Sequence, residues 1–175
     1  MGRYTLEIQH GFKAEGLFQH LAEARGYNVE TASTSMNIKD HIDLILTKDT
    51  EQYSVDVKSR KKLHRNGDYN DAFVWVEFHN VQGKLGWLYG KADKIVFERA
   101  DDFVIVDREN LKDYCETTVV PLFVDAPSDA VYKIYQRSGR KDVISLVSME
   151  NILHPYSYVV DTEIWEKVEK VEKGG

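Results

Sequence analysis

Apolar and polar positions follow one another along this chain in two rhythms. From about Gly11 to Arg25 the apolar residues Phe12, Leu17, Phe18, Leu21 and Ala22 recur at helical spacing, and Gly26 is placed to end that helix. The stretch 27–32 (YNVETA) reads as extended, and 33–41 (STSMNIKDH) has the polar, aperiodic character of a loop. The rhythm then shortens to two. In 41–47 (HIDLILT) Ile42, Leu44 and Leu46 share one strand face. In 52–59 (QYSVDVKS) Tyr53, Val55 and Val57 share one face, and Ser54, Asp56 and Lys58 the other. Asp49-Thr50 between the two strands is a hairpin turn.

Further on, 72–78 (AFVWVEF) predicts a strongly apolar strand, while 80–90, with Gly83, Gly86 and Gly90, shows no assignable pattern. The segments 94–98 (KIVFE) and 103–107 (FVIVD) predict a strand pair, and 108–114 a short helix. Residues 131–136 and 142–147 form another hairpin about Ser138-Gly139. In 162–173 the residues Ile164, Val168 and Val171 fall on one face of an amphipathic helix. With no internal repeat, low-complexity tract or Pro/Gly linker, the expectation is one α/β domain over 1–175.

Composition narrows the class. Hydrophobic residues are 42% of the 175, with 10 Tyr, 7 Phe and 3 Trp, enough for one sizeable core. No run approaches the roughly 18 apolar residues of a membrane span, and the N-terminal MGRYTLEIQHGF lacks the apolar stretch of a signal peptide. A soluble cytoplasmic protein without a membrane partner is expected. The single cysteine, Cys115, rules out an internal disulfide and a cysteine-only zinc site; it reads as a half-buried helix thiol in a reducing compartment.

The net charge of −6 argues against a general nucleic-acid binder, but its distribution is uneven. Between Val57 and Gly67 stand Lys58, Arg60, Lys61, Lys62 and Arg65 with no acid among them. That run reads either as a phosphate grip or as a disordered basic loop. Arg137, Arg140 and Lys141 make a second, smaller basic cluster at a hairpin tip.

The candidate chemistry lies in the first hairpin. Asp43 and Asp56 sit on its two strands, spaced so that their carboxylates converge at one end. Such hard oxygen donors suit Mg2+ or Mn2+. Lys58 shares a strand face with Asp56, where an ammonium serves to position or deprotonate an attacking water and to offset charge on a pentavalent phosphate. A chain of this composition contains an acid two residues before a lysine about two or three times by chance, so that triplet alone carries no weight. The strand context, the partner acid and a preceding helix with Glu15 add to it. The competing reading is a solvent-facing strand pair.

The order of helix with Glu15, strand with Asp43 and then Asp56-Val57-Lys58 on the next strand resembles the PD-(D/E)XK nuclease superfamily, whose members include many restriction endonucleases, archaeal-type Holliday junction resolvases and phage nucleases. The resemblance spans Gly11 to Glu98; Ile42 stands where the superfamily usually has a proline. It implies a three-layer α/β/α restriction-endonuclease-like core about a mixed central sheet. It further implies a Mg2+- (or Mn2+-) dependent endonuclease that hydrolyses DNA phosphodiester bonds, of the resolvase or the phage and mobile-element kind. Asp43 and Asp56 are then the metal ligands with the Val57 carbonyl assisting, Lys58 the water-positioning base, and Glu15 the helix acid of the resolvase-like branch. Arg60, Lys61, Lys62 and Arg65 would hold DNA phosphates, and a homodimer is the default assembly. The rival is a nuclease-fold protein that has lost cleavage and binds nucleic acid in a structural or regulatory role.

Other residues carry two readings each. Glu15 is also a plausible solvated helix residue. His41 is a phosphate contact on the Asp43 strand face or a surface histidine, and Glu77 an acid facing the cleft or an outward strand residue. Trp75, Trp87 and Tyr89 read as core rather than as base-stacking platforms. The segment 107–175 lies outside the motif, with no role assigned.

Overall fold

The first apolar rhythm forms α1, Lys13–Ala24, in the computed structural model, which describes residues 13–63, 66–154 and 162–167. The helix buries Ala14, Phe18, Leu21 and Ala22, a run at i, i+4, i+7 and i+8. Leu17, expected in that stripe, is instead 38% exposed, and Phe12 lies outside the described residues. The chain leaves α1 through Gly26 at φ 90°, a left-handed conformation that glycine adopts at little cost.

After β1 (Asn28–Thr31) the segment expected to be a loop forms a helix, α2 (Thr34–Asp40). Its seven residues bury nothing, so no apolar period marks them. Local capping holds it: the Ser33 hydroxyl accepts from the Met36 N–H, and His41 closes the last turn in a left-handed conformation at φ 55°. β2 (Leu44–Lys48) and β3 (Glu51–Lys58) then make the expected hairpin, turning at Asp49 with φ 53°.

The central sheet adds β5 (Lys94–Glu98), β6 (Asp102–Asp107) and β10 (Glu163–Glu166), in the order β1-β2-β3-β5-β6-β10. Its neighbours are antiparallel except β3 and β5, which run parallel with Val55 beside Lys94, Asp56 beside Ile95, Val57 beside Val96 and Lys58 beside Phe97. One face packs under α1 through Leu44, Leu46, Val55, Val96, Phe103 and Ile105. β10 corrects the expected tail helix. Trp165 drops into this core and stacks on Phe18 at 5.1 Å between centroids, while its neighbour Ile164 stays exposed. That alternation belongs to a strand; 168–173 lie outside the described residues.

The opposite face, carrying Ile95, Phe97, Val104 and Val106, is covered by α3 (Arg108–Thr118), α4 (Met149–Leu153) and a second sheet. That sheet runs β4-β9-β8-β7, from β4 (Phe73–His79), β9 (Val143–Ser148), β8 (Ile134–Tyr135) and β7 (Phe123–Val124). The protein is therefore mixed α/β, with helices on both sides of a mixed central sheet and a second mixed sheet sharing one outer layer. The segment after 107, unassigned from sequence, completes both sheets: β10 pairs with β6, and β9 with β4. Cys115 is fully buried in α3, deeper than expected, and burial pushes its thiol up to about 12. Among the described residues no helix is long and apolar enough to cross a membrane.

The unassigned stretch 80–90 is a close-fitting strap, ending in a 3-10 helix, Trp87–Tyr89. The Gly86 N–H donates to the Phe78 carbonyl, and a Cβ on Gly86 would stand 2.5 Å from the Glu77 carbonyl oxygen and 2.8 Å from its carbon. Backbone cannot swing away as a side-chain tip can. Gly86→Ala is expected to destabilise the protein by about 3 kcal/mol in urea unfolding, with an unchanged slope. A loss below about 1 kcal/mol would mean that the strap yields.

Candidate active site

Asp43 stands where the chain enters β2 from the cap of α2. Its N–H donates to the Val55 carbonyl (2.8 Å), and its own carbonyl accepts from Ala32 (2.9 Å). The carboxylate is held from two sides: Oδ2 accepts from the Val57 N–H at 2.7 Å and Oδ1 from the Asn37 amide at 2.6 Å. Asn37 was not a sequence candidate, because its segment carried no helical signal beyond the Ser33 cap. Alternation along β3 puts the Val57 carbonyl on the same strand edge as its N–H, the edge that Asp43 occupies.

Asp56 and Lys58 share the face that also carries Ile95 and Phe97, so the pair is not on a solvated strand surface. Asp56 is 3% exposed. Its Oδ1 lies 3.1 Å from the Lys58 ammonium, and its Oδ2 is buried with no hydrogen-bond partner among the described residues. Burial pushes its pKa up to about 7, with Lys58 opposing the rise and Asp43 adding to it. The Lys58 ammonium also lies 4.8 Å from the centre of the Trp87 ring, fixed between a carboxylate and a π face. Trp87 is buried, as expected, and also forms part of the site.

Three further ionisable groups surround this pair. Glu15 approaches from α1, its pKa raised by burial and then by the Asp43 charge. His41 is not on a strand face as expected but is the left-handed cap of α2; burial and then Lys58 lower its pKa, against Glu77 and Asp43. Glu77 faces the cleft, where its charge also acts on Lys61.

The cleft has a volume of about 510 Å³ and lies between the ends of β3 and β5 and the second sheet. The basic segment divides here. Arg60 is tied inward, its Nε donating to Asp71 at 2.8 Å and its plane 4.7 Å from the Tyr69 ring centre. Lys62 lies over the same ring at 5.3 Å. Lys61 is exposed yet lines the cleft, where burial and then Lys58 lower its pKa. Arg65 lies outside the described residues. Of the distant basic cluster, Arg137 lines the cleft and Arg140 and Lys141 do not.

Among the described residues no group of three or more His, Cys, Asp or Glu side chains is arranged to hold a metal ion. Asp43 and Asp56 form a pair, and the unpartnered Asp56 Oδ2 is a hard anionic donor of the kind a divalent cation takes.

No protein-family model matches the chain, and no curated protein matches it. Among solved structures it is similar to a bacterial homing endonuclease, I-Ssp6803I, at 18% identity and a TM-score of 0.43, over 65% of this chain and 74% of that one.

Proposed function

We propose that the protein is a divalent-metal-dependent endonuclease that hydrolyses phosphodiester bonds in DNA. The observation that carries this reading is the buried Asp56 Oδ2 beside Asp43, without a hydrogen-bond partner among the described residues, and the Lys58 ammonium fixed on the same face. A polar atom left so costs about 1–3 kcal/mol or more, a cost that ligation removes. Asp43, Asp56 and the Val57 carbonyl would hold Mg2+ or Mn2+. Such an ion, when bound, acts as a Lewis acid on phosphate and lowers the pKa of its water.

The other groups supply placement and charge. Asn37 and the Val57 N–H keep the Asp43 carboxylate in one orientation and leave each oxygen a second lone pair. Lys58, held by Asp56 and Trp87, offers its ammonium to the attacking water or to the charge that grows on the phosphate. Glu15 adds negative charge on the Asp43 side, which strengthens the hold on a cation. Lys61 and Lys62 meet backbone phosphates.

The test is a cleavage assay on supercoiled plasmid, linear duplex and a labelled four-way junction, each with Mg2+, Mn2+ or EDTA, with Asp43→Asn alongside. Metal-dependent cutting that the variant lacks supports the reading. Binding of DNA without cutting by either protein would replace it with the nucleic-acid-binding rival. Reversing both lysines (Lys61→Glu, Lys62→Glu) is expected to reduce the salt dependence of DNA affinity by about two slope units in a titration from low to moderate salt. An unchanged slope would remove these lysines from the contact surface.

A further inference from the structure

The cleft beside Lys58 contains more than the cleavage chemistry uses. Along β4, Val74, Val76 and Phe78 pack into the core and Phe73, Trp75 and Glu77 alternate with them on the other face; every position from Phe73 to Glu77 lines the cleft. Register brings Ile144 beside Glu77 and Tyr135 beside Ile144, which extends the wall across the second sheet. The Trp75 and Tyr135 rings lie 6.2 Å apart at 40°. Two cations from distant parts of the chain, Lys61 and Arg137, also line the cleft and lie close enough to act on one another. Arg137 is anchored at its root: Nε and the backbone N–H both donate to Asp142, which is fully buried, at 2.6 and 3.1 Å. Its side chain remains 46% exposed.

An aromatic wall beneath a pair of cations fits a planar base attached to a phosphate. A bare phosphate has no use for the wall, and a base inside a duplex has both faces covered by its neighbours. The volume of about 510 Å³ is within the roughly 300–1,000 Å³ of sites that enclose small ligands. We infer that this cleft receives one unstacked nucleotide of the DNA, its base on the Trp75–Tyr135 wall and its phosphate at Lys61 and Arg137. This rests on the nuclease reading for its biological substrate. It assigns that substrate to DNA with an unpaired nucleotide beside the cut: a flap, a bulge, a junction, or a duplex from which the protein extrudes a base. Glu77, on the same wall, would accept a hydrogen bond from a base N–H, such as the imide of thymine.

The pocket is testable without cleavage. The full chain in EDTA is titrated by calorimetry with dTMP, thymidine and inorganic phosphate. The expected order is dTMP tightest, thymidine weaker, and phosphate at least tenfold weaker than dTMP. Trp75→Ala is expected to weaken dTMP roughly five- to hundredfold, with recovery in Trp75→Phe. Lys61→Gln, at an exposed position, is expected to weaken dTMP and leave thymidine unchanged; it carries the test if Trp75→Ala fails to fold by circular dichroism. Phosphate binding as tight as dTMP, or no saturation by dTMP in the millimolar range, would overturn the inference. So would dTMP affinity indifferent to both variants. The two proposals fail separately: dTMP binding without cleavage of any DNA keeps the pocket and removes the nuclease, whereas cleavage of duplex without dTMP binding does the reverse.

Discussion

Asp56→Asn is expected to abolish cleavage and, at pH 8 without metal, to raise the melting temperature by roughly 2–8 °C, the shift that about 1–2 kcal/mol produces in a chain of this size. The two effects have one origin. The native fold holds the Asp56 carboxylate almost out of water, with Lys58 at one oxygen and, among the described residues, no hydrogen-bond partner at the other. Burial dominates over the ion pair, which is why its pKa rises to about 7. An amide keeps the shape and removes the charge. Because the folded pKa lies above the value near 4 of a solvated aspartate, the native state binds the extra proton between those values. The group's contribution is therefore fully present below about pH 4 and is lost as pH rises to about 7. Thermal melts of the metal-free protein from pH 4 to 8 should show that decline in wild type and a flatter profile in the variant. A variant that melts lower than wild type at pH 8 would mean that the charge is better stabilised than its surroundings indicate.

Lys58→Ala is expected to lower kcat by about a thousandfold while DNA affinity changes little, since general-acid–base and charge-stabilising groups each contribute on that scale. Its effect on stability should have the opposite sign to that of Asp56→Asn. Removing the ammonium leaves the buried Asp56 carboxylate without its cation and uncovers the Trp87 face. Such a half-broken pair is costly at neutral pH. Combining the two substitutions should recover most of the lost stability and none of the activity, a non-additivity expected of residues in contact. Turnover that survives Lys58→Ala would remove the lysine from the chemistry, and additive stabilities would show that the two groups act independently.

The reach of the sequence differed from element to element for physical reasons. Period-two patterning placed β2 and β3, because each buries one face, and the same alternation put Asp56 with Lys58; β5 and β6 were legible instead as unbroken apolar runs, buried on both faces. Asp43 meets them because a two-residue turn leaves the hairpin little freedom. α2 was illegible, since a short helix that buries nothing has only its caps to announce it, and Asn37 was hidden with it. Trp165 reads as strand only once Phe18 is known to lie beneath it. The second sheet was harder still: β4 reads as a strand, but its partner β9 lies far along the chain, and nothing local selects β9 over the central sheet. Arg137 reaches the cleft only through that pairing and through Asp142, whose burial its own neighbours in sequence do not signal.

The parallel match of β3 with β5 has a consequence for preparations of the protein. A shift of a single position would turn Val55 and Val57 toward the cleft and send Asp56 and Lys58 beneath α1, into an apolar layer. A misaligned chain would thus lose Asp56 and Lys58 from the site, and the aligned state is kept by the apolar layer beneath α1, which rejects the charged pair. Specific activity per mole then counts correctly zipped molecules, and a refolded sample at half activity would be a mixture of native and misassembled chains, not a uniform population of slower enzyme.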